Sequence, residues 1–355
     1  KSIDEFRELS NAHIKVLADS KAEDRMRDID PAGEEINWFA TRTTSVQDLL
    51  YGVWTREIDL TVVDSNELAL NRSYYPELQV GFTFDEPRAL AWAFLDSGDD
   101  SLHEAAEDFL DRIRNDGTLD GVRERYYGYL SGFDYVGARI FLRHVTERLP
   151  DYREDFQRAA QEHDLDWRLL AALSYQESHW DPGAVSRTGV RGMMMLTQRT
   201  AGQLGVENRR DATQSIEGGA RYLRSLKDRL PERIEDPTRT WMALAAYNVG
   251  MGHLQDARAL TKQQGKDPDN WAHLREHLPL LSRPEWYQQT RYGYARGWEP
   301  VHYVRGVRSY YERLLRITEP SRFRLPTDAD WEKRRAFSPG DAGHVQLPMV
   351  LEAAQ

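Results

Sequence analysis

The chain has 355 residues, 40% of them hydrophobic, and 58 Asp and Glu against 47 Lys and Arg give a net charge of −11. That acidity argues against a protein that tracks nucleic-acid phosphates, which needs a basic face, and the length suffices for two domains. With no cysteine, disulfides, thiol catalysis and thiolate metal sites are excluded. From the start, residues 1–130 alternate β-like with helical runs: HIKVLA (13–18), NWFAT (37–41), DLTVVD (59–64), LQVGFTF (78–84) and LAWAF (90–94) are the strand candidates. Amphipathic stretches such as TSVQDLLYGVWT separate them, a rhythm that predicts βαβ units and a mainly parallel sheet. The cluster from Thr43 to Ser45 and the pair Asp64 and Ser65 read as helix caps. A helical connector over 131–149 leads to residues 150–318, where helix follows helix: Ile216, Ala220, Leu223 and Leu230 share one face, and Trp241, Leu244 and Ala245 another. Residues 319–355 lack periodicity and read as an extended tail. No apolar run approaches the ~20 residues that cross a bilayer. The sequence opens at Lys1 without a signal segment, so an export signal or membrane anchor is expected to lie outside it.

The candidate chemistry centres on QESHW at 176–180, which closes the apolar helical run LLAALSY. Leu170, Leu173, Ser174 and Glu177 stand at helical spacings, so Glu177 projects from a mostly buried face. The helix is expected to stop at Asp181-Pro182-Gly183, leaving Glu177 in its last turn. There the negative end of the helix dipole and partial burial favour the protonated acid, a group poised to donate a proton near neutral pH. The plainer reading is a helix-end carboxylate paired with an Arg. A formal inverted zinc-peptidase pattern, His273-x-x-Glu276-His277, lacks an obvious third ligand and reads as an ordinary polar helix. Among 10 Trp and 17 Tyr, most rings belong to cores.

Three segments carry a family resemblance: Glu177-Ser178, the run from Gly192 to Met195, and AYNVG from Ala246 to Gly250. With Ser186 and the EPVHYV run at 299–304, they resemble the lysozyme-like catalytic domain of soluble-type lytic transglycosylases over roughly 145–318. The resemblance implies that Glu177 is the sole catalytic acid and base, acting on peptidoglycan glycan strands without metal or cofactor. It further implies substrate contacts from Ser178, Ser186, Met193, Met194, Met195, Tyr247, Asn248, Glu299 and Tyr303, with Trp180 as an additional ring. Where relatives usually carry Gly-Leu-Met-Gln, this chain has Met195 in place of the Gln.

Upstream, KSIDEFREL, REIDLTVVDS, LAWAF, SLHEAAEDFL and ERYYG resemble the second lobe and return segment of periplasmic amino-acid-binding proteins. The sequence enters at the crossing between lobes, so most of the first lobe, and with it a complete ligand cleft, is not expected here. The expected fold is therefore an incomplete α/β lobe of periplasmic-binding-protein type, followed by an α-rich lysozyme-like domain. The whole resembles the membrane-bound lytic transglycosylases of F type. That implies a periplasmic enzyme tethered to the outer membrane through an N-terminal anchor absent from this sequence. It also implies a muropeptide or amino-acid effector at the first module. A lysozyme-type hydrolase and a non-catalytic glycan-binding sensor are the alternatives.

Overall fold

A computed structural model of the chain describes residues 12–72, 75, 78–81, 83, 91–95, 98–128, 135–186 and 189–319. By internal contacts these fall into two units, one holding residues up to 95 with 135–140, the other holding 98–128 with 141–319. Residues 98–128, assigned from the sequence to the α/β lobe, thus group with the second unit.

In the first unit, strands β1 (Ile14–Leu17) and β2 (Trp38–Thr41) pair in parallel, Ile14 opposite Trp38 and Leu17 opposite Thr41. Helix α1 (Lys21–Ile29) lies between them in sequence, and helices α2 (Val46–Thr55) and α3 (Ser65–Arg72) follow. Alternation places Ile14 and Val16 inward, where they join Met26, Ile29 and Ile36 in a small core. Leu60 adds a single parallel bridge to Ile14 where a third strand was expected. The candidate strands at 78–84 and 90–94 are corrected where they can be examined: residues 78–81, 83 and 91–94 carry no strand, and the remainder lie outside the described residues. The caps are as read. Ser45 forms a capping box with Asp48, and Asp64 precedes α3, its carbonyl accepting from Leu68 N–H.

Among its described residues the second unit is helical, apart from antiparallel bridges of Arg191 to Val185 and Leu196. It comprises α4 (Ser101–Asn115), α5 (Thr118–Tyr127), the later part of α6 (Tyr135–Glu147), α7 (Leu149–Glu162), α8 (Trp167–Ser178), α9 (Gln198–Gln203), α10 (Ala212–Asp228), α11 (Thr238–Val249), α12 (Met251–Gln263), α13 (Trp271–His277), α14 (Pro284–Tyr287) and α15 (Trp298–Thr318). Helix α8 is its axle. Asp166 caps its start by accepting from Arg168 N–H at 2.8 Å, and every residue from Leu169 to Tyr175 is buried, the signature of a helix enclosed on all sides. It packs against α7, α10 and α15. The faces expected on α10 and α11 are both inside: Ile216, Ala220, Leu223, Leu244 and Ala245 are fully buried, and Trp241 nearly so.

Helix α8 ends at Ser178, three residues before the Pro-Gly signal. His179 and Trp180 both adopt left-handed backbone (φ 54° and 58°), turning the chain so that the Trp180 ring enters the core at 1% exposure. Its Nε1–H donates to Ala171 O at 2.8 Å. Neither residue is a glycine, so no composition signal marks this stop. The proposed extended tail lies outside the described residues beyond Glu319, and among the described residues no helix is long and apolar enough to cross a membrane.

Candidate active site

Glu177 sits in the last turn of α8, one edge of its side chain open to solvent. Facing it is α15, whose Gly306 lies against the preceding Gln176: a Cβ there would come within 2.2 Å of Gln176 Oε1. One turn earlier on α15, Tyr303 donates its hydroxyl hydrogen to Glu177 Oε1. Burial disfavours the carboxylate and pushes the Glu177 acid up to about 7, while the Tyr303 hydrogen bond, which favours the charged form, pulls it back. Burial, and then the charge of Glu177, hold the Tyr303 and Tyr247 phenols well above their ordinary range. Both remain neutral donors at any physiological pH. The acid is therefore half protonated near neutrality between two phenols.

The segment from Gly192 to Met195 is fixed by hydroxyls from three helices. Ser178 Oγ donates to Met193 O at 2.8 Å and Ser174 Oγ approaches the same oxygen at 3.2 Å. Ser215 Oγ on α10 accepts from Met194 N–H at 3.1 Å, and Tyr247 on α11 donates to Met194 O at 2.8 Å. Ser178 and Tyr247 thus build the wall beside Glu177. Met193 and Met194 are wholly buried, which corrects the expectation that three methionines line a groove. Only Met195, in left-handed backbone at φ 46°, reaches the surface. Trp180, read as a sugar-facing ring, is a core residue for the same reason.

Other expected residues stand farther out. Asn248 is exposed in the last turn of α11, and Glu299, one turn before Tyr303, accepts from Arg296 at 3.0 Å. Ser186 closes its own loop, its Oγ accepting from Val190 N–H at 3.1 Å. The zinc-peptidase pattern does not converge: His273 and His277 are buried, Glu276 is exposed, and His277 Nδ1 lies 2.7 Å from His273 O. The one group of three His, Asp or Glu ligand atoms found close together among the described residues is Glu162, His163 and Glu217, and Arg221 already donates to that Glu217 at 3.1 Å. A cavity of about 540 Å³ lies by Asp166 and Leu169. That is the opposite end of α8, roughly 16 Å along its axis from Glu177, and of its aspartates Asp164 and Asp228 pair with Arg224, Asp236 with Lys227 and Asp166 with Arg168. Chemistry rather than cavity size marks the site.

Residues 154–270, which span Glu177, the Gly192 run and Tyr247, match the transglycosylase SLT domain. This segment of the chain carries that domain. The chain's similarity extends well beyond that domain: it is 54% identical over 91% of its length to the membrane-bound lytic murein transglycosylase F 1 of Alkalilimnicola ehrlichii. It is 51% and 48% identical, each over 88% of its length, to the membrane-bound lytic murein transglycosylases F of Marinobacter nauticus and Stutzerimonas stutzeri. The chain spans 66%, 62% and 65% of the length of these three relatives. Sequence reasoning placed Ser174 on the buried face of α8 but missed its role, and missed Ser215 entirely. A serine inside an apolar helical face was the available signal.

The Tyr303 contact gives this site a signed pH prediction. If Glu177 must be protonated to act, kcat/KM falls as pH rises through about 7. Tyr303→Phe deletes the donor that favours the carboxylate, a charge-assisted bond of about 1.5–3 kcal/mol, so the alkaline limb should move to higher pH. A limb that stays in place or moves to lower pH in kcat/KM profiles would refute the assignment.

Proposed function

We propose that this protein is a peptidoglycan lytic transglycosylase that cleaves the β-1,4 bond between N-acetylmuramic acid and N-acetylglucosamine without consuming water. The observation that carries this reading is a lone carboxylate. Glycosidases that hydrolyse with two carboxylates hold them roughly 5–9.5 Å apart. Among the described residues, the influences resolved on Glu177 are burial and Tyr303, with no second acid acting on it. A single acid with its pKa near neutrality can serve twice.

In the first half of the reaction Glu177 gives its proton to the glycosidic oxygen, and the muramyl C1–O bond breaks, releasing the N-acetylglucosamine 4-hydroxyl. In the second half the carboxylate takes the proton of the muramyl C6 hydroxyl as O6 bonds to C1. The product carries a 1,6-anhydro ring and Glu177 ends protonated, as it began. The internal hydroxyl replaces an activated water, and its proximity supplies what a second carboxylate otherwise would. Tyr303 steadies the carboxylate stage by donating to it, while Ser178 and Tyr247 hold the wall on which Met195 presents to the glycan. Ser186, Asn248 and Glu299 are assigned outer substrate contacts on their accessible positions around the site.

The finer readings rest on the names of the relatives and on the small parallel sheet of the first unit. We place the protein in the periplasm at the outer membrane, with the first unit as part of a module that answers to muropeptides. Mass analysis of purified sacculi digested with and without added muropeptides tests the reaction and the effector. Fragments one water lighter than reducing ends are expected, released at a rate that changes with the muropeptide. Reducing ends would favour the lysozyme-type alternative, an unchanged rate would remove the effector, and no soluble fragments would leave a glycan-binding sensor.

A further inference from the structure

In the second unit, four aromatic side chains among the described residues are exposed, and three of them, Tyr292, Tyr294 and Trp298, fall within seven positions just before and at the start of α15. We infer that Tyr292 is a stacking platform for a sugar ring of a bound glycan strand, a subsite beyond the reacting pair. This rests on the glycan-cleaving reading above.

The geometry is built rather than incidental. Asp256, 5% exposed on α12, accepts from the backbone N–H of both Arg291 and Tyr292, at 3.1 and 2.8 Å, and so pins the segment from below. The Tyr292 ring then lies directly on Gly252 in the first turn of α12, where an added Cβ would come within 2.8–3.0 Å of its ring carbons. With one face resting on helix backbone, the ring is still 52% exposed. The exposed part is flat and apolar with a hydroxyl at the rim, which suits the apolar face of a pyranose. The Arg291 guanidinium lies over part of the ring, 5.5 Å from its centre, and the His253 ring is T-shaped to it with centroids 6.2 Å apart.

Placement ties the platform to the reaction centre. Gly252 follows directly on the corner at Gly250 that ends α11, whose last turn carries Tyr247. At the other end of the segment Trp298 opens α15, the helix that delivers Tyr303 to Glu177. Both ends of the aromatic run thus join helices that flank the acid.

The test uses the Glu177→Gln protein and peptide-free murein glycan strands, with affinity read by titration calorimetry. Adding Tyr292→Ala should raise Kd about 3- to 10-fold, the scale of one lost aromatic stacking contact, and adding Tyr292→Phe should leave Kd at the parent value. Should Tyr292→Ala fail to fold, Tyr292→Leu fills the space over Gly252 without a flat face and should weaken binding likewise. Affinity unchanged in the Ala or Leu protein, or lost equally in the Phe protein, overturns the platform. Sacculus turnover by the unsubstituted protein is measured alongside. If that is absent, the glycan reading falls and takes the platform with it. If it is present while Kd does not move, the platform alone is wrong.

Discussion

Glu177→Gln is expected to slow sacculus solubilisation by about 10²- to 10⁴-fold, the usual worth of a positioned general acid and base. The loss sits at the top of that range if the same group serves both half-reactions, because the amide can neither give the proton to the glycosidic oxygen nor take one from the C6 hydroxyl. Shape is kept. Tyr303 can still donate to the amide oxygen, and removing a carboxyl whose acid is pushed up to about 7 removes a charge that burial opposes. Folding, followed by circular dichroism and thermal melting, should therefore be unharmed. A variant that keeps more than about a tenth of wild-type turnover would show that another group is the acid.

The largest effect on stability is expected at Glu124, far from Glu177 in sequence and in role. Helix α5 buries this carboxylate at 7% exposure against Arg308 of α15, itself 2% exposed. Arg308 Nη1 donates to Glu124 Oε1 at 2.5 Å, and Arg275 of α13 reaches the other carboxylate oxygen at 2.6 Å. Arg308 also donates to the backbone oxygens of Glu124 and Arg125 and lies 4.8 Å from the centre of the Trp241 ring. Glu124→Ala strips the counter-charge from a guanidinium that cannot reach water, at a cost of about 3–5 kcal/mol. Urea melts should show it. Glu124→Leu combined with Arg308→Met removes both charges and should recover most of the loss, since the buried pair contributes far less than either orphan costs. A single-variant loss under about 1 kcal/mol would mean that water screens the pair.

Legibility tracked the kind of interaction involved. The buried run from Leu169 to Tyr175 and the acid that follows it were readable because helical period and a costly carboxylate are local facts. The end of α8 was misplaced by three residues because the left-handed turn at His179 and Trp180 is imposed by the pull of an indole into the core, a tertiary event. The methionines were misjudged for a related reason: their segment runs along the site, but Ser174, Ser178, Ser215 and Tyr247 hold its carbonyls and amide so that two of three thioethers point inward. Those partners come from three separate helices, and no window of sequence contains them. The Glu124–Arg308 pair, 184 positions apart, was invisible for the same reason. In the first unit the rhythm of β-like runs separated by helical ones foretold the parallel pair, whereas the apolar run at 91–94 carries the strand pattern without a strand.

The enclosure of α8 has a dynamic consequence. Local opening of a helix is easy where its contacts are few and its amides face solvent, and approaches the cost of global unfolding where neither holds. With Leu169 to Tyr175 buried on every side, the amides of α8 belong to the slowest-exchanging class, and Glu177 rides at the end of a segment that cannot breathe on its own. The helix that carries the acid is therefore a fixed mount in the folded protein. Any control over the activity of Glu177 has to act on the approach to it, through the surfaces carried by α12 and α15, and not on the placement of its helix.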